Sequence, residues 1–145
     1  MTRRQAREQA FIVLFEKSFH PETALDEILE VGVEQELVQE DEYASNLAQT
    51  AWDNLVSIDD LIEQNSIGWR INRISKVALA ILRLSVCEIL YLPDVPVSVS
   101  INEAVELGKK FGAEEDSAFI NGVLGSIARL DEEEQKNAPD DQETQ

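Results

Sequence analysis

The stretch SKVALAILRLSVCEILY, residues 75–91, decides the fold class. Ser75 is a helix-capping residue type, and behind it Val77, Leu79, Ile81, Leu82, Leu84, Val86, Ile89 and Leu90 leave no continuous polar face. A helix that is apolar nearly all round belongs in the middle of a bundle, covered by other helices. Arg83 and Glu88 interrupt the run, which is also too short to span a bilayer. Pro93 and Pro96 end it.

Toward the N-terminus, Ala10, Phe11, Leu14, Phe15 and Ser18 recur at spacings of three and four. That period predicts an amphipathic helix capped by Thr2 and running to about His20, where Pro21 stops it. A second helix is predicted over about Glu22–Glu30, with Gly32 as the break. A longer pattern over about Asp41–Asn65 passes through Tyr43, Leu47, Ala51, Leu55, Ile58 and Ile62, and Ser57 with Asp59 and Asp60 can restart it as a short separate helix. Toward the C-terminus, Ser98 or Ser100 precedes a helix that stops near Gly112. The last helix is predicted from about Glu114 to Leu130, with Gly122 and Gly125 read as points of close helix packing. Residues 131–145, DEEEQKNAPDDQETQ, lack apolar periodicity and are expected to form a disordered acidic tail. No strand-period alternation of useful length occurs, so the fold class is all-α, with about six to seven helices over residues 1–130.

The net charge of −17 in 145 residues argues at first against a nucleic-acid partner. The charge is distributed unevenly, however. Residues 22–64 hold thirteen acids and no Lys or Arg, and residues 131–145 carry a net −6, whereas residues 65–130 balance seven bases with seven acids. Residues 1–21 are net positive through Arg3, Arg4, Arg7 and Lys17. Nucleic acid is therefore admitted on one side of the molecule only. Enzyme chemistry has little to draw on. His20, the one histidine, sits before Pro21 and reads as a helix cap or a solvated side chain. Cys87, the one cysteine, lies in the most apolar helix and reads as a small core residue. No catalytic constellation, metal-ligand spacing or phosphate loop can be assembled, so neither a catalytic residue nor a metal or other cofactor is expected. The single cysteine, and the lack of a signal peptide or membrane span, point to a cytoplasmic protein.

The strongest local functional signal is the set of three arginines within the first seven residues. Positive charge at a helix N-terminus opposes the macrodipole, and a phosphate partner would give it a reason. Beyond it, Arg73-Ile-Ser-Lys-Val, Ala80-Ile-Leu-Arg-Leu, Glu88-Ile-Leu-Tyr, Asp94-Val-Pro, Ile101-Asn-Glu-Ala-Val-Glu-Leu, Lys109-Lys-Phe-Gly and Phe119-Ile-Asn-Gly-Val-Leu follow in order. With Arg3-Arg4 and Arg7-Glu8 at the start, these motifs closely resemble the NusB family of transcription antitermination factors over roughly residues 3 to 130.

The resemblance implies two small helical subdomains, about 1–66 and 67–130, packed around a shared core. It implies a non-enzymatic protein that binds the boxA element of nascent ribosomal RNA together with NusE, a small-subunit ribosomal protein. The pair then acts in the RNA polymerase antitermination complex to promote read-through. Carried over by position, it makes Arg3, Arg4 and Arg7 RNA-backbone contacts and Phe119 a base-stacking platform. Phe15 stands where some relatives have a tyrosine near the RNA, and Asn72 and Glu115 match polar positions at that surface. NusE is expected near Arg73, Lys76, Ala78 and Asp94. Some relatives dimerise, so a homodimer is among the expected partners.

Two features depart from the family pattern. Ala118 replaces a lysine frequent in relatives, and Glu114-Glu115-Asp116 is unusually acidic. Three phosphate contacts by arginine give a salt slope of only about −2 on single-stranded RNA, so weak binding alone and tighter binding with NusE are expected. The alternative is an acidic helical adaptor for protein partners with weak or no RNA binding. A methyltransferase is not expected, since no glycine-rich cofactor loop follows a strand and no catalytic cysteine motif is present.

Overall fold

The computed structural model describes residues 1–137. Among them, seven α-helices and one short 3-10 turn account for all the regular structure: α1 (Arg3–Phe19), α2 (Leu25–Glu34), α3 (Glu42–Asp53), α4 (Leu55–Gln64), the turn Ile71–Arg73, α5 (Lys76–Tyr91), α6 (Val97–Phe111) and α7 (Asp116–Asn137). None of these helices is long and apolar enough to cross a membrane. α5 is the axis of the molecule, as its composition requires: it packs against α1, α3, α4, α6 and α7, and every residue from Ala78 to Leu82 and from Leu84 to Ile89 is buried. Ser75 caps it, its Oγ accepting from the Ala78 N–H at 3.1 Å. One apolar cluster runs from Ala6, Leu14 and Leu47 through Ile81 and Leu84 to Ile120 and Ile127, so both halves of the chain share a core.

Several element boundaries differ from the sequence-based expectation, each for a local reason. Gly32 lies inside α2 and does not break it. A Cβ there would stand 2.7 Å from Val38 Cγ2, because the chain folds back and the Leu37 and Val38 N–H groups both donate to the Gly32 carbonyl. α3 and α4 part at Asn54, ahead of Ser57; the Asn54 side-chain amide donates to the Thr50 carbonyl and competes with the helical ladder. α2 starts at Leu25, since the Pro21 and Thr23 carbonyls are drawn to the Lys17 ammonium. α6 starts at Val97, before either serine: Ser100 is turned inward, where its Oγ donates to Glu88.

Near the C-terminus, close packing falls at Gly108, where a Cβ would meet Ile120 Cδ1 at 3.0 Å and the Ser117 backbone at 3.2 Å. Gly122 faces open space and Gly125 meets only the Arg129 guanidinium, which corrects the expectation for both. α7 continues past Leu130 to Asn137, carried by Glu, Gln and Lys, which are good helix formers. The rest of the expected tail, residues 138–145, lies outside the described residues.

Candidate nucleic-acid interface

The arginine-rich start is built by a capping box: the Gln5 N–H donates to Thr2 Oγ1 while the Thr2 N–H donates to Gln5 Oε1. The three arginines that follow meet different fates. The Arg3 guanidinium lies 3.7 Å from the centroid of the Tyr43 ring. Arg4 forms a two-pronged pair with Glu103, both contacts at 3.0 Å. Arg7 is only 7% exposed, and its Nε donates to both carboxylate oxygens of Glu88 at 3.0 and 2.9 Å. Tyr43 Oη and Ser100 Oγ also donate to Glu88, each at 2.6 Å. Burial, and then the bond to Glu88, push the Tyr43 phenol up to about 12, so it stays a donor. Arg7, expected from the resemblance to touch an RNA backbone, is thus held inside the fold. A carboxylate in the middle of the most apolar helix must be neutralised, and Arg7 is the cation that does so.

Residues 3, 7, 11, 15 and 19 form one stripe along α1, four residues apart. Phe11, Phe15 and Phe19 follow one another along it, the first pair tilted and the second edge-on, with ring centroids 5.9 and 5.0 Å apart, and Phe111 of α6 closes on Phe11 at 5.0 Å. Exposure grows along the stripe: Phe11 is buried, Phe15 half-buried and Phe19 50% exposed. α1 runs antiparallel to α5, since Arg7 meets Glu88 at one end and Phe19 lies under the Lys76 ammonium, 5.8 Å away, at the other.

At that second end the surface opens. A groove of about 320 Å³ is lined by Trp69, Arg73, Ser75, Ala78, Glu115 and Phe119, among others. Gly68, at φ +78°, takes a left-handed turn suited to glycine, and the next residue, Trp69, stands 50% exposed. Its ring meets Phe119 edge-on, centroids 6.3 Å apart. Arg73 lines this groove together with Glu115 and Asp116, and Arg70 and Lys76 lie close to it in sequence. Among the described residues none of the three cations has a carboxylate within salt-bridge distance. Elsewhere, by contrast, Arg83 is held by Asp59 at 2.8 Å, Lys110 by Glu8 at 2.9 Å and Lys109 by Glu106 at 3.4 Å.

The structure thus brings Arg73, Glu115 and Phe119 into one groove, with Asn72 and Lys76 exposed in the adjoining turn and helix start. Ala78, expected near the NusE contact, is 1% exposed and forms part of the groove floor. Arg3 and Arg4 lie toward the opposite end of α5, and Asp94 is exposed in the turn that follows it. Trp69 and Arg70 share a surface beside this groove, and Phe19 lies under Lys76 at the start of α5; none of the three is singled out by the sequence pattern. A tryptophan and an arginine directly after a glycine outside any periodic segment, and a phenylalanine four residues beyond Phe15, are the signals that point to them. Cys87 is fully buried and its thiol is pushed up to about 12 by burial and then by Glu88, so it offers no nucleophile.

A model of the NusB family matches residues 4–129. The chain belongs to the NusB family. It is 44% identical over 132 residues to the transcription antitermination protein NusB of Agathobacter rectalis, covering 88% of this chain and 100% of that one. It is 46% identical over 131 residues to the protein of the same name from Listeria monocytogenes, covering 90% and 99%. Among solved structures, T. maritima NusB superposes with a TM-score of 0.78 at 35% identity, over 89% of this chain and 92% of that one. A structure of the antitermination factors NusB and NusE in complex with double-stranded RNA gives 0.79 at 30% identity, over 88% and 96%.

Proposed function

We propose that this protein is a cytoplasmic, non-enzymatic transcription antitermination factor that binds boxA-type RNA together with NusE. The observation that carries the reading is the open groove at the start of α5, where Trp69 and Phe119 meet and Arg73 shares the wall with Glu115 and Asp116. Among the described residues Arg73 and its sequence neighbours Arg70 and Lys76 have no carboxylate within salt-bridge distance. Cations of this kind attract phosphate, and an exposed ring offers an unstacked base a platform. Trp69 and Phe119 are the stacking residues of this reading, and Arg70, Arg73 and Lys76 supply the charge. Arg3 and Arg4 extend the contact along α1 once Arg4 exchanges Glu103 for a phosphate. Family membership and the NusB–NusE–RNA structural relative support both partners. The single apolar cluster around α5 supports a shared core, on which subdomains of about residues 1–66 and 67–130 would pack.

The test is a titration of boxA RNA and a scrambled RNA with the protein alone and with NusE. Selective binding that NusE strengthens is expected, and Trp69→Ala should weaken it by about 1–3 kcal/mol, the worth of one stacked base. Equal affinity with and without NusE, or equal affinity for the two RNAs, would overturn the reading.

A further inference from the structure

A second concave surface lies on the other flank of α1. α1 and α2 diverge to leave a groove of about 330 Å³ whose walls are apolar: Ile12 from α1, Val31 from α2, and Leu37 and Val38 from the segment that folds back at Gly32. Leu37 is 70% exposed and Val31 43%, so two large aliphatic side chains face water side by side. Exposed aliphatics grouped in a concave site mark an interaction surface more often than scattered ones do. The rim carries Glu16 and Glu27, with His20 held to Glu16 at 3.4 Å, and no Lys or Arg lines the groove. Just beyond it, a cleft between α2 and α3 is lined by Asp26, Glu30, Glu34, Glu40, Asp41 and Glu42. Apart from the α1 rim, both surfaces belong to the block of residues 22–64, which holds thirteen acids and no Lys or Arg.

We propose that this groove docks a basic amphipathic helix of a protein partner. Apolar residues of the partner would seat on Val31, Leu37 and Val38, and its Lys or Arg face would meet the acids of α2 and the rim. α2 is ten residues long, about 15 Å at the helical rise, which admits about three turns of a partner helix. Charge selects this occupant over others. RNA would be repelled by the same acids. A second copy would bring acidic block against acidic block, and the chain's own residues 138–145 carry three acids and no base. Successive residues turn 100° around a helix, so Ile12, Glu16 and His20 stand about a quarter-turn from Phe11, Phe15 and Phe19. The groove therefore leaves the aromatic surface at the start of α5 free.

The probe is an 18-residue helical peptide with leucines at i, i+3, i+4 and i+7 and lysines elsewhere, compared with the same peptide carrying glutamate for lysine. Saturable binding of the lysine peptide is expected, with backbone amide shifts centred on residues 12–38 and none from the glutamate peptide. Leu37→Asp is the deciding variant. It raises the acidic charge, so attraction of charge alone would strengthen, whereas docking in the groove should weaken about tenfold or more. Val31→Asp, also at an exposed site, should do the same, and both variants should keep the native circular dichroism and wild-type RNA affinity. Binding unchanged or strengthened by the two variants would overturn the proposal. So would equal binding of the glutamate peptide, shifts centred elsewhere, or self-association of the protein that Leu37→Asp abolishes.

Discussion

The two ends of α5 carry similar residues in opposite states. At the C-terminal end, Glu88 gathers Arg7, Tyr43 and Ser100 into a buried cluster, and Arg4 is folded onto Glu103. At the N-terminal end, where Trp69 and Phe119 meet, Arg70, Arg73 and Lys76 have no carboxylate within salt-bridge distance among the described residues. The cations of the first end hold helices together, and those of the second remain available to a ligand. Charge by itself does not make a binding site; charge that the fold leaves unneutralised does. The N-terminal arginines look like the stronger signal in the sequence, yet they are the more fully occupied set.

Removing the acid at each end breaks the comparison most directly. Glu88→Ala leaves Arg7 buried without a counter-charge and should cost about 3–5 kcal/mol in urea unfolding, whereas Glu115→Ala, at the exposed end, should stay within about 0.5 kcal/mol. Similar costs for the two would mean that the closed end is not held by its ion pair. RNA binding sharpens the contrast from the other side. Arg73→Gln with Lys76→Gln should flatten the salt slope by about 1.4, from ~0.7 per phosphate contact. Arg3→Gln with Arg4→Gln should flatten it by less, because Glu103 already neutralises Arg4. A larger change from the second pair would move the phosphate track to the closed end.

A separate effect is expected in alkali. The native state holds the Tyr43 and Cys87 protons up to about 12, against ordinary values of 10.0 and 9.0. The folded protein then binds more protons than the unfolded chain between about pH 9 and 12. Stability present below that window is lost as the pH rises through it. Tyr43→Phe should flatten the upper part of this decline, and an unaltered profile would remove Tyr43 from the coupled cluster.

Much of the fold is legible in the amino-acid sequence. The all-round apolar run of residues 75–91 announces a central helix, and the spacing of Ala10, Phe11, Leu14 and Phe15 announces one that lies against it. Element boundaries are less legible where side chains have other work: Ser100 turns to Glu88, Lys17 draws in two carbonyls, and Gly32 makes room for Val38. Of the candidate site, Phe119 and Glu115 are named by the family resemblance as RNA residues and Arg73 as part of the NusE contact, and the three are neighbours in the fold. Trp69 escapes such a reading because it falls in no motif that carries chemistry by itself.

The helical class, the central helix and the segregation of acid into residues 22–64 can be read from the amino-acid sequence, because periodicity and local charge are properties of neighbours along the chain. Which arginines are free was decided only by the tertiary structure. Arg7 meets a carboxylate 81 positions away and Arg4 one 99 positions away, and pairing at such separations depends on how helices cross and not on what either segment says alone.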